Sequence, residues 1–177
     1  AINKKNTIIS KNFNKMISFN NGCLVAESGV LLKDIIDTFL PRGWFPSVSP
    51  GTKYVTVGGM VAANVHGKNH HNEGSFYNFI NWIELIDKNN DVLRISKDSN
   101  KELFDWTVGG MGLTGFIYRV SFNLKKVESS WIKQRSIITK NLEETLDVFD
   151  KVHESTYSVA WIDCLSVGKK LGRSIVI

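Results

Sequence analysis

Cysteine and proline are scarce: two and three residues in 177. Cys23 and Cys164 lie far apart in the apolar stretches GCLVA and AWIDCLSV, and both read as buried free thiols. Two thiols make neither a disulfide framework nor a structural zinc site. Long hydrophobic runs are missing too. None approaches the roughly 20 apolar residues that a bilayer-crossing helix needs, and the opening AINKKNTIIS lacks the apolar core and cleavage site of a secretion signal. Charge of one sign is not concentrated. The formal net charge is +5, yet Lys and Arg are scattered, and the longest basic clusters are pairs such as Lys125-Lys126 and Lys169-Lys170. Nucleic-acid binding gathers its charge on one element, so no nucleic-acid partner is expected. An anionic substrate or membrane surface remains compatible with the charge, and the expected location is cytoplasmic or peripheral to a membrane. No internal repeat or low-complexity linker is present.

What is present is an ordinary globular composition, 42% hydrophobic and 22% charged. The length allows one good core, or one domain and part of another. GCLVAES reads as a strand. VLLKDIIDTFLPRG carries Leu31, Leu32, Ile35, Ile36, Phe39 and Leu40 on one helical face and stops at Pro41 and Gly43. NWIELIDKNNDVLRIS is a hairpin turning at Asn89-Asn90-Asp91. Ser99 to Glu102 has the capping-box pattern, opening a helix through Leu103, Phe104 and Trp106. FIYRVSFNL alternates, with Phe116, Tyr118, Val120, Phe122 and Leu124 on one face and Ile117, Arg119, Ser121 and Asn123 on the other. A second capped helix starts at Asn141, with Leu142, Leu146, Phe149 and Val152 as its inner stripe. SVAWIDCLSV and GRSIVI read as strands. Mixed helices, strands and hairpins predict an α+β fold rather than a parallel doubly wound sheet.

Gly110-Met111-Gly112-Leu113-Thr114-Gly115 spells G-x-G-x-x-G. The dinucleotide fingerprint needs a strand before it and a helix after it; here the order is reversed, so the Rossmann reading fails. In SPGTKYVTVGGMVAANVHG, Thr56 is placed to cap a small-residue helix. Gly58 and Gly59 would leave backbone N–H groups pointing outward, an anion-binding arrangement, with a tight turn holding no ligand as the alternative. His66, His70 and His71 invite a metal. Gly67 interrupts a shared helical face, Asn69 and Asn72 favour a loop, and Lys68 would repel a divalent ion. No metal is expected; a solvated loop and a ligand-lining rim remain.

PGTKYVTVGGMVAANVHGKNHHNEGSF, followed about thirty residues later by ELFDWTVGGMGLTGFI, resembles the flavoenzymes of the vanillyl-alcohol oxidase type, whose FAD-binding domain is of the PCMH type. The resemblance extends over nearly the whole chain. It implies an FAD cofactor held between two α+β lobes, with a separate substrate domain covering the ring. By the resemblance Gly51, Thr52, Thr56, Val57, Gly58 and Gly59 match the second flavin-binding segment, and Ala63, Asn64, Val65 and His66 run beside the flavin. Ile117 matches a contact from the following strand, and His66 and Lys68 match polar residues at the catalytic pocket. The implied reaction is oxidation of a secondary alcohol of a sugar, polyprenylphosphoryl ribose at C2, with a reductase partner to take the keto product.

The family's first pyrophosphate-binding segment and its closing pocket residues have no counterpart here, and LGRSIVI reads as a strand left without a partner. A piece of a longer chain is therefore expected: residues 1–124 as the second lobe of the FAD-binding domain, and residues 125–177 as the beginning of a substrate domain. Two other readings stand beside this one, an aldonolactone or alditol oxidase with the same flavin site, and a cofactor-free module whose basic surface binds an anion.

Overall fold

The computed structural model describes residues 8–177, so most of AINKKNTIIS falls outside the described residues. The chain divides into two compact units. The first runs to Gly67 and resumes at Ser75–Ser130; the second comprises Lys68–Gly74 and Trp131–Ile177.

In the first unit, β1 (Met16–Asn20) and β2 (Cys23–Glu27) form a hairpin. α1 (Leu32–Phe39) buries Leu32, Ile35 and Phe39, then tightens into a 3-10 turn at Leu40–Arg42 that Gly43 closes, as Pro41 and Gly43 predict. β3 (Trp44–Pro46), α2 (Val57–Ala62), a 3-10 turn at Phe76–Phe79, β4 (Ile80–Ile86), β5 (Val92–Ile95), α4 (Lys101–Thr107) and β6 (Phe116–Lys126) complete it. The helical turn α3 (His70–Glu73) lies between these in sequence but belongs to the second unit. The sheet order is β1-β2-β6-β4-β5, with β3 also on β6, and every pairing is antiparallel. This is the expected α+β arrangement. Leu24, Ile35, Val57, Met60, Ile83, Phe104 and Phe122 pack into one core, and each fully buried side chain of this size contributes about 1.5–3 kcal/mol.

The alternation read along β6 does not survive its N-terminal end. Leu85 pairs with Ile117 and Glu84 with Arg119, so Tyr118 is one extra residue on β6. Such a bulge reverses which residues face inward. Ile117 is buried with Val120, Phe122 and Leu124, while Phe116 and Tyr118 turn to the other face and pack on Phe13. The capping box at Ser99 is also corrected. Asn100, with φ +54°, is the N-cap of α4 and makes no side-chain cap bond; Ser96 Oγ instead accepts the Asp98 and Ser99 N–H groups.

The second unit is a three-stranded antiparallel sheet, β7 (Ile137–Thr139), β9 (Ser174–Val176) and β8 (Ala160–Ile162), in the order β7-β9-β8, with α5 (Leu142–Lys151) against it. Asn141 caps α5 as expected: its Oδ1 accepts the Glu144 N–H at 2.9 Å. The expected inner stripe is displaced, however. Thr145 is the buried residue, hydrogen-bonded to Thr139 Oγ1 and the Gly172 carbonyl, while Leu142 and Leu146 are exposed. Cys23 is half-buried against Ser121 Oγ, and Cys164 is exposed rather than buried. The segment after β8 is open, with Leu165 and Val167 in solvent. His70–Glu73 forms one helical turn where Asn69 and Asn72 suggest a loop.

Candidate functional site

The segment before α2 runs beside the start of α1, with Leu32 N–H donating to Val55 O and Lys33 N–H to Lys53 O. Thr56 is the N-cap, its Oγ1 accepting the Gly59 N–H at 3.1 Å. The first-turn N–H groups do not point outward as the sequence suggests. Val57 donates to Val30 O, Gly58 to Ser28 O at 2.8 Å, and Gly59 to Thr56. The anion-binding arrangement is thus corrected: these donors are consumed inside the fold. Gly58 is glycine because a Cβ there would lie 2.9 Å from Ser28 Cβ.

What α2 offers outward is bareness. Gly59, Ala63 and His66 are exposed, and no side chain larger than a methyl rises between the first two. Gly51 has open space around it, and Thr52 accepts the Tyr54 N–H through Oγ1. Ser28 Oγ, in a residue only 2% exposed, has no hydrogen-bond partner among the described residues.

At its C-terminal end α2 meets the second glycine segment. Gly109 N–H donates to Val61 O and Met111 N–H to Ala62 O, both at 2.9 Å. Gly109 has φ +87°, and a Cβ on it would reach within 3.4 Å of Asn64 Cβ. Thr107 Oγ1 lies 3.0 Å from Thr114 Oγ1, clipping the loop shut. Asn64, with φ +42°, accepts the Tyr77 N–H through Oδ1 at 3.0 Å. Val65 then takes the Phe76 N–H, and His66 pairs with Ser75 in an isolated bridge.

Tyr77 is itself anchored. Its hydroxyl donates to Asp105 at 2.8 Å, and Asp105 also binds Lys101. That hydrogen bond to Asp105, with burial, holds the phenol above its ordinary pKa; Lys101 first and Tyr77 second hold the Asp105 carboxyl below its own.

The structure therefore brings Thr56, Val57, Gly58, Gly59, Ala63, Asn64, Val65 and His66 onto one short helix and its exit. Ile117 is buried in the core of the same unit, on the strand that carries the bulge. Lys68 falls in the second unit, where it is exposed and its carbonyl accepts the Ser158 N–H. There too His71 Nε2 lies 3.0 Å from Ser155 O. Among the described residues no group of His, Cys, Asp and Glu is arranged to hold a metal ion. Ser28 and Tyr77 carry no sequence signal, because each acts on a segment distant in the chain.

The flat strip, the open glycines and the unpartnered Ser28 hydroxyl fit a planar ligand with a polar edge better than a lone phosphate, which would need the amides that are already used. Residues 2–96 match the model of the FAD binding domain family. The chain is 36% identical, over 92% of its own length and 36% of the relative's, to decaprenylphosphoryl-beta-D-ribose oxidase of Mycolicibacterium smegmatis. It is 36% identical, over 84% of its length and 40% of the relative's, to a Streptomyces coelicolor protein described as an uncharacterized protein in the mprA 5′ region. With cytokinin dehydrogenase 5 of Arabidopsis thaliana it shares 28% identity over 59% of this chain and 20% of that one. The chain thus spans well under half the length of these relatives.

Proposed function

Because this chain belongs to the FAD binding domain family, we propose that it forms part of an FAD-dependent oxidoreductase acting on the CH–OH group of a sugar, with a polyprenylphosphoryl ribose oxidised at C2. One observation carries this reading. Two glycine-rich segments, distant in sequence, are joined by Gly109 to Val61 and Met111 to Ala62 hydrogen bonds beside the bare Gly59–Ala63 strip. The likeness to a decaprenylphosphoryl-ribose oxidase supports the substrate class.

In this reading residues 1–124 belong to the FAD-binding domain and residues 125–177 begin a substrate domain. By the resemblance the residues that would hold the cofactor are Gly51, Thr52, Thr56, Gly58, Gly59, Ala63, Val65 and His66, with Asn64 shaping the exit of α2; Val57 and Ile117, which the resemblance adds, are buried in the core. When bound, FAD supplies the two-electron acceptor for the hydrogen leaving the carbinol carbon. An imidazole nitrogen of His66 accepts the hydroxyl proton. Lys68 is assigned by the resemblance alone, as the cation that would offset negative charge developing in the reaction. The bare strip lets a flat ring lie against backbone, which fixes its orientation and excludes water from one side. The keto product passes to a reductase partner. Among the described residues no helix is long and apolar enough to cross a membrane, and the proposed location is cytoplasmic or peripheral to one.

The test is anaerobic mixing of the purified full-length protein with a synthetic polyprenylphosphoryl ribose while the visible flavin absorbance is followed. Bleaching by the lipid-linked ribose and not by soluble aldonolactones is the expected result. Bleaching by aldonolactones alone would give the lactone-oxidase reading. Failure of the folded, full-length protein to take up FAD would leave the anion-binding module.

A further inference from the structure

We propose that Asn64 is a positioning residue of the flavin site, locking the two glycine segments into one surface and fixing where His66 emerges, rather than a cofactor ligand through its own carboxamide oxygen. This rests on the flavin reading above.

Three segments of chain meet at this residue: the exit of α2, the stretch through Tyr77 and the Gly109–Met111 loop. α2 ends at Ala62, and Ala63, its C-cap, is still helical. Asn64 then turns into the left-handed region at φ +42°. The following N–H, that of Val65, reaches back to Met60 O at 3.1 Å, and Asn64 N–H itself reaches Val61 O at 3.0 Å. This is the closure by which a helix ends on a left-handed residue, and asparagine is the usual non-glycine choice there. Glycine would make the turn equally well. It would not supply the second feature, the Oδ1 acceptor that takes the Tyr77 N–H at 3.0 Å. Tyr77 is a fixed point, held by Asp105 through its hydroxyl and packed edge-on against the buried Phe104. The third feature is contact: Gly109, with φ +87°, packs against Asn64, a Cβ on it lying 3.4 Å from Asn64 Cβ. Beside that contact Gly109 donates to Val61 O and Met111 to Ala62 O.

The oxygen of Asn64 is thus spent on the fold. What the residue transmits is register, from the Tyr77 anchor to the exit of α2 on one side and to the Gly109–Met111 loop on the other. His66, two residues on, has its place set by that turn and by the Ser75 bridge.

The test compares three variants of the full-length protein. Asn64→Asp keeps the acceptor and tolerates the left-handed turn, Asn64→Gly keeps only the turn, and Asn64→Ala keeps neither. Two readouts are taken: FAD affinity by fluorescence titration together with the flavin's visible circular dichroism, and amide hydrogen exchange at Tyr77, Gly109 and Met111. In N64G, loss of one hydrogen bond should weaken FAD by about tenfold, alter the flavin dichroism, and speed exchange at all three amides together. N64D should restore the dichroism and the protection toward those of the wild type, and N64A should be the most affected. Should N64A fail to fold, the contrast between N64G and N64D carries the test. The proposal is overturned if N64D and N64G lose FAD equally while exchange is unchanged, which would make the carboxamide a direct ligand. It is also overturned if only the Tyr77 amide responds, which would make Asn64 a local cap. If the wild-type protein itself binds no FAD, the flavin reading fails, and the exchange pattern alone decides the role of Asn64.

Discussion

Thr56 Oγ1 accepts the Gly59 N–H at 3.1 Å, so the start of α2 is closed by a side chain of the protein itself. Replacing Thr56 by alanine should lower stability by about 1 kcal/mol, the usual cost of a lost cap. Chemical denaturation of the FAD-free protein measures it. A full loss of FAD binding with unchanged stability would contradict the assignment of Thr56 to the cap.

Lys68 and the neighbouring histidines should separate cleanly. Lys68→Ala should reduce turnover on the order of 10²-fold while leaving FAD content near that of the wild type, because in the proposed function its charge serves the reaction rather than the cofactor. His71→Ala should cost far less activity, since His71 Nε2 is engaged with Ser155 O. Steady-state rates alongside the flavin-to-protein absorbance ratio give the comparison. Loss of flavin and activity in equal measure would make Lys68 a cofactor ligand.

Across β5, β4 and β6 the charges alternate: Arg94 meets Glu84 at 2.7 Å, and Arg119 approaches Glu84 at 3.8 Å from the other side. Arg94 also lies 4.2 Å over the Trp82 ring, and Arg119 4.5 Å over Tyr118. Glu84→Gln should cost about 1–3 kcal/mol, because two guanidinium groups lose a nearly buried carboxylate. Urea unfolding reads this. Arg94→Lys should cost less than Glu84→Gln, since Arg119 keeps a partner.

Asp163 gives the second unit an acid limit. The Leu165 N–H, the Ser166 hydroxyl and Arg173 all favour its ionised form and hold its carboxyl well below the usual carboxylate range. A pKa lowered by folding adds stability above the unfolded-state value near 4, and that stability is lost as the pH falls toward the folded-state value. Asp163→Asn should lower the melting temperature at neutral pH and flatten its decline below about pH 4. An unchanged acid profile would mean that this turn does not control the unit's unfolding.

Local patterns were the legible part. The β4–β5 hairpin, α1 with its stop at Pro41 and Gly43, and the Asn141 cap each depend on residues within one turn or one strand of each other. The illegible part came from partners far away. The α2 amides are taken by Ser28 and Val30, and no spacing inside TVGGM announces it. The Tyr118 bulge leaves FIYRVSFNL alternating on paper while its faces exchange in space. In the second unit, Leu142 and Leu146 have the spacing of an inner stripe, yet Thr145 faces the sheet because Thr139 and Gly172 offer it hydrogen bonds. Of the site, the residues clustered on α2 and its exit were readable as one stretch. The meeting of that stretch with Gly109 and Met111 was not.

The order β1-β2-β6-β4-β5 puts the last strand of the first unit in the middle of its sheet. On a ribosome, β1–β2 and β4–β5 would emerge as two separate hairpins with no common edge. Cys23 must wait for Asn123, and Ile83 for Val120, before either hairpin has a neighbour. Joining of the two hairpins into one sheet is therefore expected to wait for β6. A nascent chain stalled before residue 116 should leave the facing edges of both hairpins open to proteases, and extension past residue 126 should protect the two together.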